Sequence, residues 1–261
     1  YVKFPVKDGK GLLPADAFVI IWTTTPWTIP SNLGICLHPD FDYALLAIKG
    51  EKWLVAKEMI STFLKDAGLA DEPYRIEAEF KGRQLERITC QHPLFDRDSL
   101  LILGEHVTLE AGTGCVHTAP GHGADDFYVG KLYGLDVLSP LDNKGRFTEQ
   151  AGPFAGLDTK AGNKAVCRAL EEKGMLLNFT MISHQYPHCW RCHEPILFRA
   201  TEQWFASIDG FREEALAEID NVRFIPSWGR DRIYNMVHDR GDWCISRQRA
   251  WGVPIPIFQC E

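Results

Sequence analysis

No stretch of this chain is apolar for long enough to cross a bilayer. The longest runs, Ala17 to Trp22 and Val253 to Phe258, fall far below the roughly 20 residues that a spanning helix needs. The opening Tyr-Val-Lys-Phe-Pro-Val has none of the basic, apolar and small-residue succession of a secretory signal. The expected compartment is therefore the reducing cytoplasm, with no membrane partner. The eight cysteines are expected as thiols or metal ligands, not as disulfides. A basic excess is also missing: a formal net charge of −7 is unlike that of non-specific polyanion binders, which neutralise phosphates with surplus lysine and arginine. Internal repeats and low-complexity tracts are absent too, which excludes solenoids and disordered linkers.

What is present is a globular chain of 261 residues, 45% of them hydrophobic, enough for one sizeable core and a smaller appendage. Its first half reads as strands parted by turn signals: Ala17 to Thr24, Tyr43 to Ile48, Lys52 to Val55, Arg75 to Phe80, Ile88 to His92, Leu100 to Leu103 and Cys115 to Ala119. Helices are predicted over Ala56 to Ala67 and Ala124 to Tyr133, and from an Asp158 or Thr159 cap to Lys173, where Gly174 stops the third. This gives an α+β fold, a curled, β-barrel-like sheet with peripheral helices. Near residue 180 the strand-rich character ends, so a main domain over 1–180 and a small Cys-containing α/β appendage over 181–261 are expected. Further helices are predicted near Phe211 to Ile219 and Trp228 to His238. The last residues, Cys260-Glu261, carry no stop signal and read as a cut chain.

Three segments can carry chemistry. In Trp22-Thr-Thr-Thr-Pro-Trp-Thr-Ile-Pro-Ser-Asn32, three adjacent hydroxyls follow an apolar strand, and two prolines stiffen the backbone behind them. Such an edge can hold a water, a ribose hydroxyl or a base edge; the plainer reading is a strand end, where threonine is favoured. In Gly112-Thr-Gly-Cys-Val-His-Thr-Ala-Pro-Gly-His-Gly-Ala-Asp-Asp126, a strand delivers His117, a glycine turn lets a ligand approach, and two aspartates open a helix. Asp125 suits a cap, whereas Asp126 can project toward the turn and meet a cation. His117, His122 and the aspartates as metal ligands form a third reading, without the spacing of a zinc site. In the third segment Cys189-x-x-Cys192, with Cys260, supplies three thiolates for zinc. The fourth ligand of a second pair would lie two positions past Glu261. Cys36, Cys90, Cys115, Cys167 and Cys244 read as small buried hydrophobes. Between Arg223 and Arg249, six arginines and three aspartates form either a local cationic surface or a solvated helix face with ordinary ion pairs.

Together these segments resemble the editing insertion of class I aminoacyl-tRNA synthetases of the isoleucine type. The run from Trp22 to Asn32 is similar to that group's threonine-rich editing peptide, where valine and leucine enzymes carry Thr-Thr-Arg-Pro. Gly112 to Asp126 is similar to the second half of the same pocket. Tyr186-Pro-His-Cys-Trp-Arg-Cys192, Ala200-Thr-Glu-Gln-Trp-Phe205 and Asp242-Trp-Cys-Ile-Ser-Arg-Gln-Arg-Ala-Trp-Gly252 resemble the return into the catalytic core.

The resemblance implies a monomeric deacylase that hydrolyses valine wrongly attached to the tRNA for isoleucine. Asp126 would hold the ammonium group, Thr23, Thr24 and Thr25 would position ribose and water, Trp22 and Asn32 would support the pocket, and His117 would limit side-chain size. No metal is expected in that pocket, and zinc would belong to Cys189, Cys192 and Cys260. The adenylate-forming signatures His-Ile-Gly-His and Lys-Met-Ser-Lys-Ser do not occur, so ATP would be used only by a longer enzyme. Position 121 is glycine where some relatives are acidic, and no carboxylate role carries over there. The rivals are a noncatalytic tRNA-binding zinc module over 184–261 and an editing domain for another branched substrate.

Overall fold

The computed structural model describes residues 1–183, 185–247 and 252–258. The chain forms two compact units, Tyr1–Ala200 and Thr201–Glu261.

In the first unit, β1 (Val2–Asp8) pairs antiparallel with β2 (Ala17–Ile21), setting Phe4 opposite Val19. On its other edge β1 meets β7 (Thr89–Gln91), and the ladder continues through β8 (Asp98–Leu103) to β3 (Gly34–Leu37) and β9 (Val116–Thr118). A parallel bridge from Val116 to Trp22, just beyond β2, brings β9 back to where this series began. Six strands thus curl into a ring joined on its last side by one bridge, which is the barrel-like form expected. The first residues of β2 pair instead with β5 (Glu51–Ala56), which carries β4 (Asp42–Ile48) and β6 (Tyr74–Lys81) outward as a sheet extension.

Alternation along the strands sorts their side chains between two cores. Val19, Ile21, Leu45 and Leu54 point inward to meet Phe4, Ile35 and Leu101. Ile20, Leu46 and Trp53 point the other way, onto Ile60 and Phe63 of α1 (Ile60–Asp66). Burying each large side chain of this kind stabilises the fold by roughly 1.5–3 kcal/mol.

All seven strands read from the sequence are present in the first unit, and two further strands there, β1 and β3, were not foreseen. Pro5 interrupts the apolar pattern of β1, yet it sits at the end of the pairing with β2, where its missing N–H is tolerated. β3 has four residues, all buried, and such a short continuous apolar run has no periodicity to betray it. The helix expected from Ala56 is α1, seven residues long, behind a 3-10 turn at Lys57–Met59. The other two helices, α2 (Ala124–Leu132) and α3 (Thr159–Glu172), stand where expected. Asp158 caps α3 by accepting from the Ala161 N–H.

Past Asn178, the first unit has little regular structure. A hairpin bridged from His188 to Pro195 carries Cys189 and Cys192. The second unit holds α4 (Arg212–Asn221), α5 (Trp228–His238) and a short ribbon of β10 (Phe205–Ala206) with β11 (Trp243–Cys244). In its arginine-rich stretch, Arg230 is engaged by Asp220 and Asp231, as an ordinary ion-paired helix face would have it; Arg249 lies outside the described residues. Cys36, Cys90 and Cys115 are buried as expected, while Cys167 and Cys244 are only half-buried.

Candidate active site

The threonine run lies beyond β2, not in it. The Thr23 hydroxyl accepts from the Thr25 N–H at 3.0 Å, a local bond that turns the chain away from the ladder. Pro26 then opens a 3-10 turn over Pro26–Ser31 whose last five residues are buried. α3 anchors this turn, since Asn163 Oδ1 accepts from the Trp27 N–H at 2.8 Å. Thr23 and Thr25 lie 3.3 Å apart, oxygen to oxygen, and Thr25 and Thr28 3.4 Å apart, so the strand-end explanation of these threonines does not hold. Their hydroxyls form a connected rim, with Thr24 exposed at its mouth.

Facing them is β9. The loop that leads into it is pinned by Thr113, which donates to the Ile20 carbonyl at 2.6 Å and accepts from the Ala56 N–H through its own carbonyl. Gly112 has φ 81°, and a Cβ there would press to 3.1 Å from the Trp22 ring, so only glycine lets the loop lie flat on the indole. Gly121 shows a different requirement: a side chain would collide with the Leu138 carbonyl at 2.2 Å, which accounts for glycine at that position.

His117 is buried and both ring nitrogens are bonded: Nδ1 to Asn32 Nδ2 at 2.8 Å and Nε2 to Thr28 Oγ1 at 2.9 Å. Asn32, fully buried, also donates to the Gly34 carbonyl, and its Oδ1 accepts from Ser99 Oγ at 2.6 Å. These partners fix the amide orientation, so Asn32 must donate to Nδ1 and the ring proton must sit on Nε2. Burial holds His117 down to about 3, with His92 and His122 adding to the effect. It is a neutral imidazole.

Asp126 sits in the first turn of α2 and reaches back so that Oδ2 accepts from the Ala119 N–H at 2.8 Å. Burial raises its pKa, while the Ala119 N–H and His106 oppose the rise. Asp125 is exposed and makes no cap bond. His122 bonds Ser31 Oγ and the Phe198 carbonyl, both at 2.9 Å, so it braces the 3-10 turn.

These elements enclose a cavity of about 370 Å³ lined by Trp22, Thr23, Thr24, Thr25, His117 and Asp126, all anticipated from sequence. Asn32 does not line it and acts from behind His117. Thr28, His106, Thr108 and Glu110 also line it and were not anticipated. Thr28 had a legible signal, lying one 3-10 turn after Thr25; the loop residues had none. Cys115 is close in sequence but buried, with its thiol pKa raised, so the cavity has no thiolate nucleophile. It offers a carboxylate for a cation, hydroxyls to orient small polar groups, and a rigid imidazole wall.

Cys189 and Cys192 lie apart from this cavity, on the hairpin held by the Cys189 N–H to Glu194 carbonyl and His193 N–H to Cys189 carbonyl bonds, each 2.8 Å. Among the described residues, no third His, Cys, Asp or Glu joins them to form a metal-binding group. Cys260 lies outside the described residues.

The profile of the family described as tRNA synthetases class I (I, L, M and V) matches residues 8–261. The chain belongs to this family. Within it, the chain is 67% identical over its whole length to an isoleucine–tRNA ligase of Syntrophomonas wolfei, of which it covers 28%. It is 62% identical to that of Desulforamulus reducens, again with 28% covered. This synthetase chain thus spans little more than a quarter of the relatives it matches. Its fold resembles the GlLeuRS-CP1 crystal structure, with TM-score 0.55 and 16% identity over 70% of this chain and 98% of that one. It also resembles the leucyl-tRNA synthetase editing domain of P. knowlesi, with TM-score 0.51 and 12% identity over 67% of this chain and 94% of that one. At such identities the likeness is one of fold.

Proposed function

We propose that this chain is the proofreading part of an isoleucine–tRNA ligase and that its cavity hydrolyses valine wrongly esterified to the tRNA for isoleucine. The supporting observation is that Thr23–Thr25, His117 and Asp126, from segments about ninety residues apart in sequence, line one cavity of about 370 Å³. A synthetic pocket gains only about 1–3 kcal/mol from one extra methylene, a limit for which isoleucine enzymes are the standard illustration. A second pocket sized for valine excludes isoleucine by overlap instead.

In this reading the carboxylate of Asp126 binds the aminoacyl ammonium and so fixes the carbonyl beside the threonine rim. Thr23, Thr24 and Thr25 orient the terminal ribose and the attacking water, and Trp22 backs them. The ester is already activated, so correct placement of water supplies much of the rate. His117 is the wall that meets the side chain. It does not serve as the base, because its acceptor nitrogen is occupied by Asn32 and burial opposes protonation. The test is deacylation of preformed valyl-tRNA by Asp126→Ala: removing this half-buried carboxylate is expected to cost on the order of 2–5 kcal/mol. Near-normal hydrolysis by folded Asp126→Ala protein would remove Asp126 from the site.

The same reading makes the chain cytoplasmic and monomeric, with tRNA as its partner and ATP needed only by a longer enzyme. It also places zinc at Cys189 and Cys192, with Cys260 as a third ligand and a fourth beyond Glu261. Zinc would then be structural, tying the hairpin to later sequence. Metal analysis should find weak zinc in this chain and tight, stoichiometric zinc in one extended past Glu261. Equal tight binding in both contradicts the shared site.

A further inference from the structure

The cavity wall carries a titratable ring that the proposed hydrolysis leaves unused. Loop 104–108, which follows β8, sets His106 on that wall. Gly104 makes room for it: a Cβ there would stand 2.8 Å from His106 Nδ1 and Cε1 and 2.7 Å from Cys36 Sγ, closer than packed atoms come. Next along, Val107 is buried in one cluster with Cys36, Ile102 and Val129. Val129 belongs to α2, and Asp126 stands one turn before it on the same helix face. The loop is therefore docked on the face of α2 that carries Asp126. With the ring so held, His106 Nε2 is buried and has no hydrogen-bond partner among the described residues. Such a nitrogen forfeits its hydration, and it is tolerated where an opposite charge stands near.

The opposite charge is that of Asp126. Burial pushes its carboxyl up, toward the protonated form that cannot bind an ammonium, while the Ala119 N–H and His106 push back and Asp125 adds to the rise. The other groups around the cavity do not keep it ionised. Among the described residues no lysine or arginine lines the cavity, and Glu110 there is acidic and exposed. Burial holds His117 and His122 uncharged, and Cys36 keeps its proton, its thiol pushed up to about 12 by burial and by Asp126. We propose that His106 is a positioning residue for the ammonium anchor: seated over Gly104 on a loop docked to α2, its imidazole keeps the Asp126 carboxylate charged and turned into the cavity. It touches no reacting atom and acts through Asp126. The proposal rests on the proofreading reading and deepens it, by giving the ammonium contact a second residue from a separate loop.

The test uses two substitutions in the intact chain. His106→Phe keeps a flat ring over Gly104 and removes both nitrogens, whereas His106→Gln keeps an N–H donor near the place of Nε2. In the ligand-free chain the Asp126 carboxyl, followed by carbon NMR, should titrate at higher pH in His106→Phe than in the wild type. Two non-hydrolysable amides of 3′-amino-3′-deoxyadenosine then serve as ligands, one carrying valine and the other its α-hydroxy counterpart, which has no ammonium. The wild type should prefer the valyl amide. His106→Phe should lose about tenfold of that preference, the worth of one hydrogen bond to a charged group, with affinity for the hydroxy amide unchanged. His106→Gln should recover part of it. An unmoved titration or an unmoved preference in folded His106→Phe overturns the assignment and leaves intact the proofreading reading, which valine release from valyl-tRNA by the wild type reports separately. A wild type that releases no valine, beside a shifted titration and preference in His106→Phe, keeps His106 as the support of Asp126 and overturns the proofreading reading.

Discussion

His117 is fixed by hydrogen bonds that leave it no choice of tautomer. Asn32 donates to Nδ1, and the Nε2 proton goes to Thr28, whose own hydrogen goes to the Thr25 carbonyl. A base at this position would have to break the Asn32 bond before accepting a proton from water, whereas a wall has only to stay where it is. His117→Ala should therefore admit the larger side chain. Hydrolysis of isoleucyl-tRNA rises, through relief of an overlap worth about 1–3 kcal/mol, while hydrolysis of valyl-tRNA changes little. Single-turnover deacylation of the two charged tRNAs measures this. Loss on both together, by roughly 10²- to 10⁴-fold, would make His117 the base. The residue itself was visible in the sequence as a histidine at the end of a strand before a glycine turn. Its protonation was not, because that depends on Asn32 and Thr28, which lie some ninety positions earlier.

At the scale of elements, the site is a seam between β9 and the peptide that follows β2. Asn32 holds the two sides together: it bonds His117 on β9, the Gly34 carbonyl of β3 and Ser99 of β8. Asn32→Ala strands these groups in a dry interior, at about 1–3 kcal/mol for each one left unpaired. The thermal midpoint should fall by roughly 5 °C or more, and deacylation should fall with it at temperatures where the protein remains folded. An unchanged midpoint would show that the seam does not depend on Asn32. Element existence was legible where alternation was long, as in β6, where an apolar run was long, as in β4, and where a cap residue announced a helix, as Asp158 does for α3. It failed at β1, whose Pro5 disguises it, and at β3, whose four buried residues lack a period. The bridge that closes the ring is one residue pair, Trp22 with Val116, and no local pattern encodes a pairing of that separation.

At the scale of the whole molecule, His92 is a second buried neutral histidine. Its Nε2–H donates to the Ile29 carbonyl at 2.8 Å, and Nδ1 accepts from the Leu94 N–H. Burial holds it, like His117, down to about 3, against an ordinary value of 6.5. Both therefore bind protons more readily in the unfolded chain. Their stabilisation is complete above pH 6.5 and is lost as pH falls from there toward 3, at about 1.4 kcal/mol per pH unit for each group. Denaturant unfolding across this window should show stability falling with acid, and His92→Gln should flatten the fall. A pH-independent stability in the wild type would mean that these rings are hydrated.

The central claim concerns selectivity, and deacylation by the wild-type chain tests it most directly. Valyl-tRNA and isoleucyl-tRNA, both charged on the tRNA for isoleucine, are each incubated with the chain under single-turnover conditions. The account predicts fast release of valine, slow release of isoleucine, and loss of valine release in Asp126→Ala. Equal rates for the two esters, or no release of either by folded protein, would contradict it.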